Sequence, residues 1–425
     1  MQLHTELVSV GGETQIRKTQ MVQKALTVIA PIKSGEVEAL KHILTKRGWE
    51  IGGSADAYFH KSPSTHFARL VILDDPDQAV DPHLLFTSNH DGDFNAYMQE
   101  LVENMGSEME EVWRQCEGYS IGTALDTARF TEFIRKHSLK SQAFYIAYRG
   151  ESVQSILSAI KIRDKIDKIL DYQGTSHKLQ EVYGLLPDRL KSIANPSSDF
   201  PKKIYQDNSP QAGSSWILNL LERIVGIKLE DNDPSDRLTL NSNQQDRIEE
   251  SKQVEDKIVQ NQMITLIAIK PSLKSKLLLR LILWLANRRA EQSKGNLSGI
   301  TTIHFARWAI VDKGILSQSD QSYLLFESNY DGSWDSYIDD FVQFASTRMN
   351  LIWGNCVDYS SHGCRDVAWF KQHIRKNQFP AQVFYSAYPN LTVKNILTDL
   401  EISHSVAQFL TQADVKQFLS GSYHS

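Results

Sequence analysis

Hydrophobic positions recur along this chain with two alternating periods, and the same succession of periods occurs twice. Lys24–Ile32 is rich in β-forming residues and ends at Pro31 and a Ser34-Gly35 turn. Val37, Leu40, Ile43 and Leu44 then recur at helical spacing up to Gly48. The runs His66–Asp74 and Leu84–Thr87 predict an antiparallel hairpin with a long turn. From Asp93 the period changes again: Phe94, Tyr97, Met98, Leu101, Met105, Met109, Val112, Trp113, Cys116 and Tyr119 fall on one stripe of a long helix. A short helix (Phe130–His137), a strand (Gln142–Tyr148) and an amphipathic helix (Ser152–Leu170) complete the first copy.

The second copy has strand Met263–Ile269, helix Leu273–Asn287 and strands Ile303–Val311 and Tyr323–Glu327. Helices Trp334–Tyr359 and Trp369–Lys376, strand Gln382–Tyr388 and helix Val393–Leu400 follow. Asp91/Asp331, Trp113/Trp353 and Tyr145/Tyr385 recur at one constant offset, with His66/His304 two positions short of it. Each copy reads β-α-β-β-α-β plus a terminal helix, the split-βαβ or ferredoxin-like unit. The fold class is therefore α+β, with two tandem ferredoxin-like repeats at 24–170 and 262–412 that pair as a pseudo-dimeric α+β barrel. A polar segment (1–23) precedes them and a tail (413–425) follows. Between them, 171–261 reads as a linker, interrupted by an amphipathic helix at 214–230 in which Trp216, Ile217, Leu220, Leu221, Ile224, Val225 and Ile227 form one face. That helix either docks on its own domain or faces a partner or a membrane surface.

A net charge of -5 and a pI near 6.2 provide no basic stripe for phosphate binding, which argues against a nucleic-acid partner. No apolar run is long enough to span a bilayer, and the N-terminus lacks a signal-peptide core, so the expectation is a soluble protein with at most peripheral membrane contact. Cys116, Cys356 and Cys364 show no zinc spacing and suit a reducing, cytoplasmic setting. Nucleotide-binding loops, HExxH and Gly-x-Ser-x-Gly are absent from the sequence.

The candidate chemistry sits in the repeated stretch. Asp91-Gly92 and Asp331-Gly332 form a tight turn into a helix capped by Asp93 or Ser333. Strict alternation along His66–Arg69 and His304–Arg307 places histidine and arginine on opposite strand faces. In a purely structural account, Arg69 and Arg307 pair with a carboxylate on the helix side, Asp91 and Asp331 being the candidates, and His66 and His304 are hydrogen-bonded core. In a functional account the two histidines face the barrel interior as metal, haem or acid/base groups. Residues that break the repeat are His362 and Cys364, with no counterparts in Ile121–Ala128, and His373, which stands where the first copy has Phe133.

Two such units resemble the dimeric α+β-barrel superfamily, which includes dye-decolorising peroxidases. Ser88-Asn89-His90-Asp91-Gly92 and Ser328-Asn329-Tyr330-Asp331-Gly332 keep the Asp-Gly of that family's Gly-x-x-Asp-Gly motif, with Ser at the first Gly. The resemblance implies a haem-dependent peroxidase or oxygenase acting on a small apolar molecule. Asp91 or Asp331 would then be the peroxide acid/base, Arg69 or Arg307 the charge stabiliser, and His66, His304, His362 or His373 the haem-binding group; no separate metal site is implied. The alternative is a cofactor-free binding or accessory protein that meets a lipid, a partner or a second copy of itself.

Overall fold

The computed structural model describes residues 8–10, 13–15, 23–48, 59–172, 222–227, 238–293 and 295–409. A short ribbon pairs β1 (Val8–Val10) with β2 (Glu13–Gln15). The first half then runs β3 (Lys24–Pro31), α1 (Val37–Gly48), β4 (Thr65–Asp75), β5 (Val80–His90), α2 (Phe94–Trp113), α3 (Thr127–Lys136), β6 (Ser141–Ile146) and α4 (Val153–Tyr172). After α5 (Ser242–Val254) the second half repeats the order: β7 (Gln260–Ala268), α6 (Leu273–Gln292), β8 (Ile303–Val311), β9 (Tyr323–Asp331), α7 (Trp334–Trp353), α8 (Val367–Lys376), β10 (Val383–Ser386) and α9 (Val393–Phe409).

The protein is α+β, with two four-stranded antiparallel sheets ordered β10-β4-β5-β3 and β6-β8-β9-β7. The hydrogen-bonded ladders leave two open sheets rather than one closed barrel. Nor is either half self-contained, as the repeat reading expected: β6 of the first half pairs with β8 of the second, and β10 pairs with β4. Just before the exchange, each fourth segment touches its own half, through the bridges Val28–Ser138 and Thr265–Gln378. The chain thus leaves its own sheet for the other within a few residues, which ties the halves together by main-chain hydrogen bonds.

Strands β4 and β8 are buried on both faces, which explains their unbroken apolar runs Leu70–Leu73 and Trp308–Val311. One face packs under helices: Leu70, Phe86 and Trp113 in the first half, Trp308, Phe326 and Trp353 in the second. The other faces meet between the sheets, where Ile29, Val71 and Leu85 join Ile264, Ala309 and Leu325. Gly92 and Gly332 adopt φ of +81°, the left-handed turn required before the helix, and the side chains of Asp93 and Ser333 accept from the first-turn amides of α2 and α7.

Two segments differ from the sequence expectation. Cys116 and Cys356 leave α2 and α7 early to bridge Ile32 and Ile269, so both helices stop at a tryptophan. Within the expected linker, α5 forms with a capping box between Asn241 and Gln244. It is anchored by an Arg247–Asp75 ion pair at 2.9 Å and by buried Ile248 rather than by an apolar stripe. Of the expected helix at 214–230 only 222–227 lies within the described residues; there Val225 and Ile227 are buried in the second-half core, and Glu222 accepts from Asn350 at 2.9 Å. This part docks on its own domain.

Candidate functional site

A register shift beside His66, and another beside His304, places each histidine in a β-bulge. The bulge frees the ring from strict strand alternation and lets it reach the opposite half. His66 Nε2 meets Asp91 Oδ1 at 2.9 Å and its Nδ1 meets the Tyr388 hydroxyl at 2.8 Å. Tyr388 meets Tyr148 at 2.7 Å, Tyr148 meets His304 Nδ1 at 3.1 Å, and His304 Nε2 meets Asp331 Oδ1 at 2.8 Å. The outer carboxylate oxygens accept from the first amides of α4 (Val153, 2.8 Å) and α9 (Val393, 2.7 Å). Each carboxylate is thereby fixed at a helix N-terminus, the positive end of the helix dipole.

The result is a chain Asp91–His66–Tyr388–Tyr148–His304–Asp331 that crosses from one half to the other in five links. Burial raises both tyrosines well above their ordinary pKa, which keeps their protons in place. Phe67 and Phe305 close over the histidines of the opposite half, with ring centroids 5.3 Å (Phe67–His304) and 5.5 Å (His66–Phe305) apart.

Three residues beyond each histidine lies a second polar layer. Arg69 and Arg307 are both 1% exposed, and the carboxylate they share is Glu327, not Asp91 or Asp331. Arg307 is saturated: Nε pairs with Glu327, Nη1 donates to Leu26 O (2.6 Å) and Thr27 Oγ1 (3.1 Å), and Nη2 donates to Ser88 O (2.8 Å) and Asn89 Oδ1. Arg69 is not. Its Nη1 stands 3.5 Å from Glu327 Oε2, and neither Nε nor Nη1 has a hydrogen-bond partner. The cause is a broken repeat: Thr87 is paired across the strands with Arg69 where Glu327 is paired with Arg307. Two guanidiniums thus face one carboxylate. Burial lowers the pKa of both arginines, Arg307 to about 10 with the charge of Arg69 contributing, and at neutral pH both remain charged.

Further unpartnered polar atoms surround this layer, among them Asn329 Nδ2 and Gln262 Oε1. Gln262 and Phe384 also line a cavity of about 320 Å³ between α1, α5, β7 and β10, and the Phe384 ring lies 5.7 Å from the Arg69 guanidinium. Arg69 itself does not line this cavity; the Phe384 ring is what the two have in common.

The other sequence candidates lie elsewhere. Cys364 is buried, its Sγ lies 3.4 Å from the Tyr359 hydroxyl, and burial pushes its thiol up to about 12, which leaves little thiolate at neutral pH. His362 sits beside Ser360 in the same loop, its Nδ1 3.3 Å from the hydroxyl. His373 on α8 stacks on Trp369 at 4.8 Å, with both ring nitrogens unpartnered and its pKa lowered to about 3 by burial. It takes the place of Phe133, which packs on Tyr119 as His373 packs on Tyr359. Sequence reasoning missed Tyr148, Tyr388 and Glu327. The signal for Glu327 was visible as Leu-Leu-Phe-Glu-Ser-Asn against Leu-Leu-Phe-Thr-Ser-Asn.

A haem held by these residues needs an open imidazole nitrogen and a flat apolar slot. Both nitrogens of His66 and His304 are engaged and phenylalanines cover their rings, so these two histidines with Asp91 and Asp331 do not fit the group. No protein-family model matches the chain, and no curated protein matches it either.

Proposed function

We propose that this is a cofactor-free binding protein that receives the acid group of a small, largely apolar molecule at Arg69. Two ferredoxin-like halves, joined by exchanged strands and by the histidine–tyrosine chain between two open sheets, form the shell. The observation that carries the reading is the buried Arg69 guanidinium, whose Nε and Nη1 have no hydrogen-bond partner and which has only a shared carboxylate. A buried cation in that state is costly unless a further anion completes it. The nearby cavity is lined by Val254, Ile258, Pro380 and Ala381 together with Lys41, Lys257, Glu250 and Glu255, and its apolar part suits the tail of a short-chain or medium-chain monocarboxylate. The three buried free thiols suit a reducing, cytoplasmic setting.

Titrating hexanoate and octanoate by calorimetry, with thermal unfolding in parallel, tests this. Wild type binds and is stabilised. Arg69→Gln and Thr87→Glu both lose the binding, the second because it gives Arg69 a carboxylate of its own. Absence of binding to wild type, or equal binding to both variants, overturns the reading. The competing haem-dependent peroxidase or oxygenase reading rests on the family resemblance and has His373, with its unpartnered nitrogens, as its ligand. A stoichiometric Soret band on adding haemin, lost in His373→Ala, would favour it instead.

A further inference from the structure

Helix α6 has two apolar faces. Leu279, Ile282, Leu283 and Ala290 are buried against the second half, whereas Leu273, Leu277, Leu281, Trp284 and Leu285 are 73, 58, 52, 50 and 46% exposed. At helical spacing the exposed five form one stripe about 18 Å long. Exposed leucines scattered singly need no explanation, but a contiguous stripe that includes a tryptophan does.

The charges on α6 identify what covers it. Lys274, Lys276, Arg280, Arg288 and Arg289 stand against the single acid Glu291, on a chain whose net charge is -5. Asp312 engages Lys276 and Arg280, at 2.5 Å and 3.1 Å. Arg288 lies 4.7 Å over the ring of Trp284, within the stripe itself. A second copy docked by the same face would bring two cationic helices together, so self-association is opposed by charge. An anionic lipid surface matches both features: leucines and the indole enter the acyl boundary, while arginine and lysine heads remain among the phosphates. No helix among the described residues is long and apolar enough to cross a membrane, so the contact lies in the plane of the surface.

We propose that α6 is a peripheral membrane-docking helix selective for anionic lipid. This surface is independent of the Arg69 site. Co-sedimentation of the full chain with vesicles of phosphatidylcholine containing about one-third phosphatidylglycerol tests the proposal. Wild type binds these on the order of 100-fold more tightly than pure phosphatidylcholine, from Lys274, Arg288 and Arg289 together, and high salt weakens the difference. The double variant Leu281→Glu/Trp284→Glu, its fold checked by circular dichroism, loses at least about tenfold in affinity. The triple variant Lys274→Glu/Arg288→Glu/Arg289→Glu loses the preference for the anionic vesicles, and Ile121→Glu, at an exposed apolar position on the loop after α2, changes nothing. The proposal is overturned if wild type ignores anionic vesicles or if the double variant binds them as wild type does. It is equally overturned if wild type is a dimer that the double variant dissolves, which would assign the stripe to a second copy.

Discussion

Replacing Tyr388 and Tyr148 by phenylalanine, singly and together, tests whether the chain between the halves acts as one unit. Tyr388→Phe removes two links, to His66 and to Tyr148, and strands His66 Nδ1 in a fully buried position. Each buried polar group left without a partner costs about 1–3 kcal/mol, and a lost buried hydrogen bond about 1 kcal/mol more. The single variant should therefore lose about 2–4 kcal/mol, and Tyr148→Phe, which strands His304 Nδ1, a similar amount. The Tyr388–Tyr148 bond at 2.7 Å is counted in both singles and can be lost only once. The double variant should accordingly fall short of the summed singles by about 1–2 kcal/mol, well outside the few tenths expected of independent sites. Urea unfolding of the four proteins, with midpoints converted at a common slope, gives the coupling energy. Additive costs would show that the hydroxyl pair contributes nothing to joining the halves.

Three further outcomes follow from buried groups. His90 and His373 have their pKa values lowered from 6.5 to about 4 and about 3, chiefly by burial, so their neutral forms stabilise the fold fully above pH 6.5 and progressively less as pH falls toward 4. Each accounts for about 2 kcal/mol lost between pH 7 and pH 5, and His373→Phe, copying Phe133, should remove its share of that slope in denaturant melts at the two pH values; an unchanged slope would refute the assignment. Glu327→Gln should cost about 3–5 kcal/mol by stranding two buried guanidiniums, whereas Arg69→Met should remain within about 1 kcal/mol of wild type, both read by urea unfolding. Cys116, Cys356 and Cys364, with thiols raised to about 12 by burial, should resist a thiol reagent in the native protein and react fully in denaturant.

Much of the secondary structure was legible because its signals are local. The strand at His66–Asp74 carries the apolar run Leu70–Leu73 because both its faces are buried there, and the long stripes of α2 and α7 each meet a single core. The Asp-Gly turns and their caps were legible for the same reason. What escaped the sequence depends on partners far along the chain. Nothing in Gln142–Tyr148 states that it pairs with β8 rather than completing its own sheet; antiparallel pairing with either edge satisfies the same alternation. The bulges at His66 and His304 overturn an argument from strict alternation, because one extra residue resets which way a side chain faces. Helix α5 escaped because ion pairs and a capping box hold it, and these leave no hydrophobic period to read.

The two polar layers between the sheets invite opposite conclusions from the same duplication. In the histidine–tyrosine chain every residue has its counterpart, every ring nitrogen has a partner, and both carboxylates are fixed by helix ends. Such closure is what joining two like halves requires, and it leaves no atom free for a substrate. In the arginine layer the repeat fails at one position, Thr87 against Glu327, and the failure leaves Arg69 buried with donors unmet. A methionine of similar size would fill that space without the cost of a desolvated charge. Stability therefore gives no reason to keep an arginine there, and binding an anion does, which is why the asymmetric layer, and not the more conspicuous symmetric one, is where the activity of this protein should be sought.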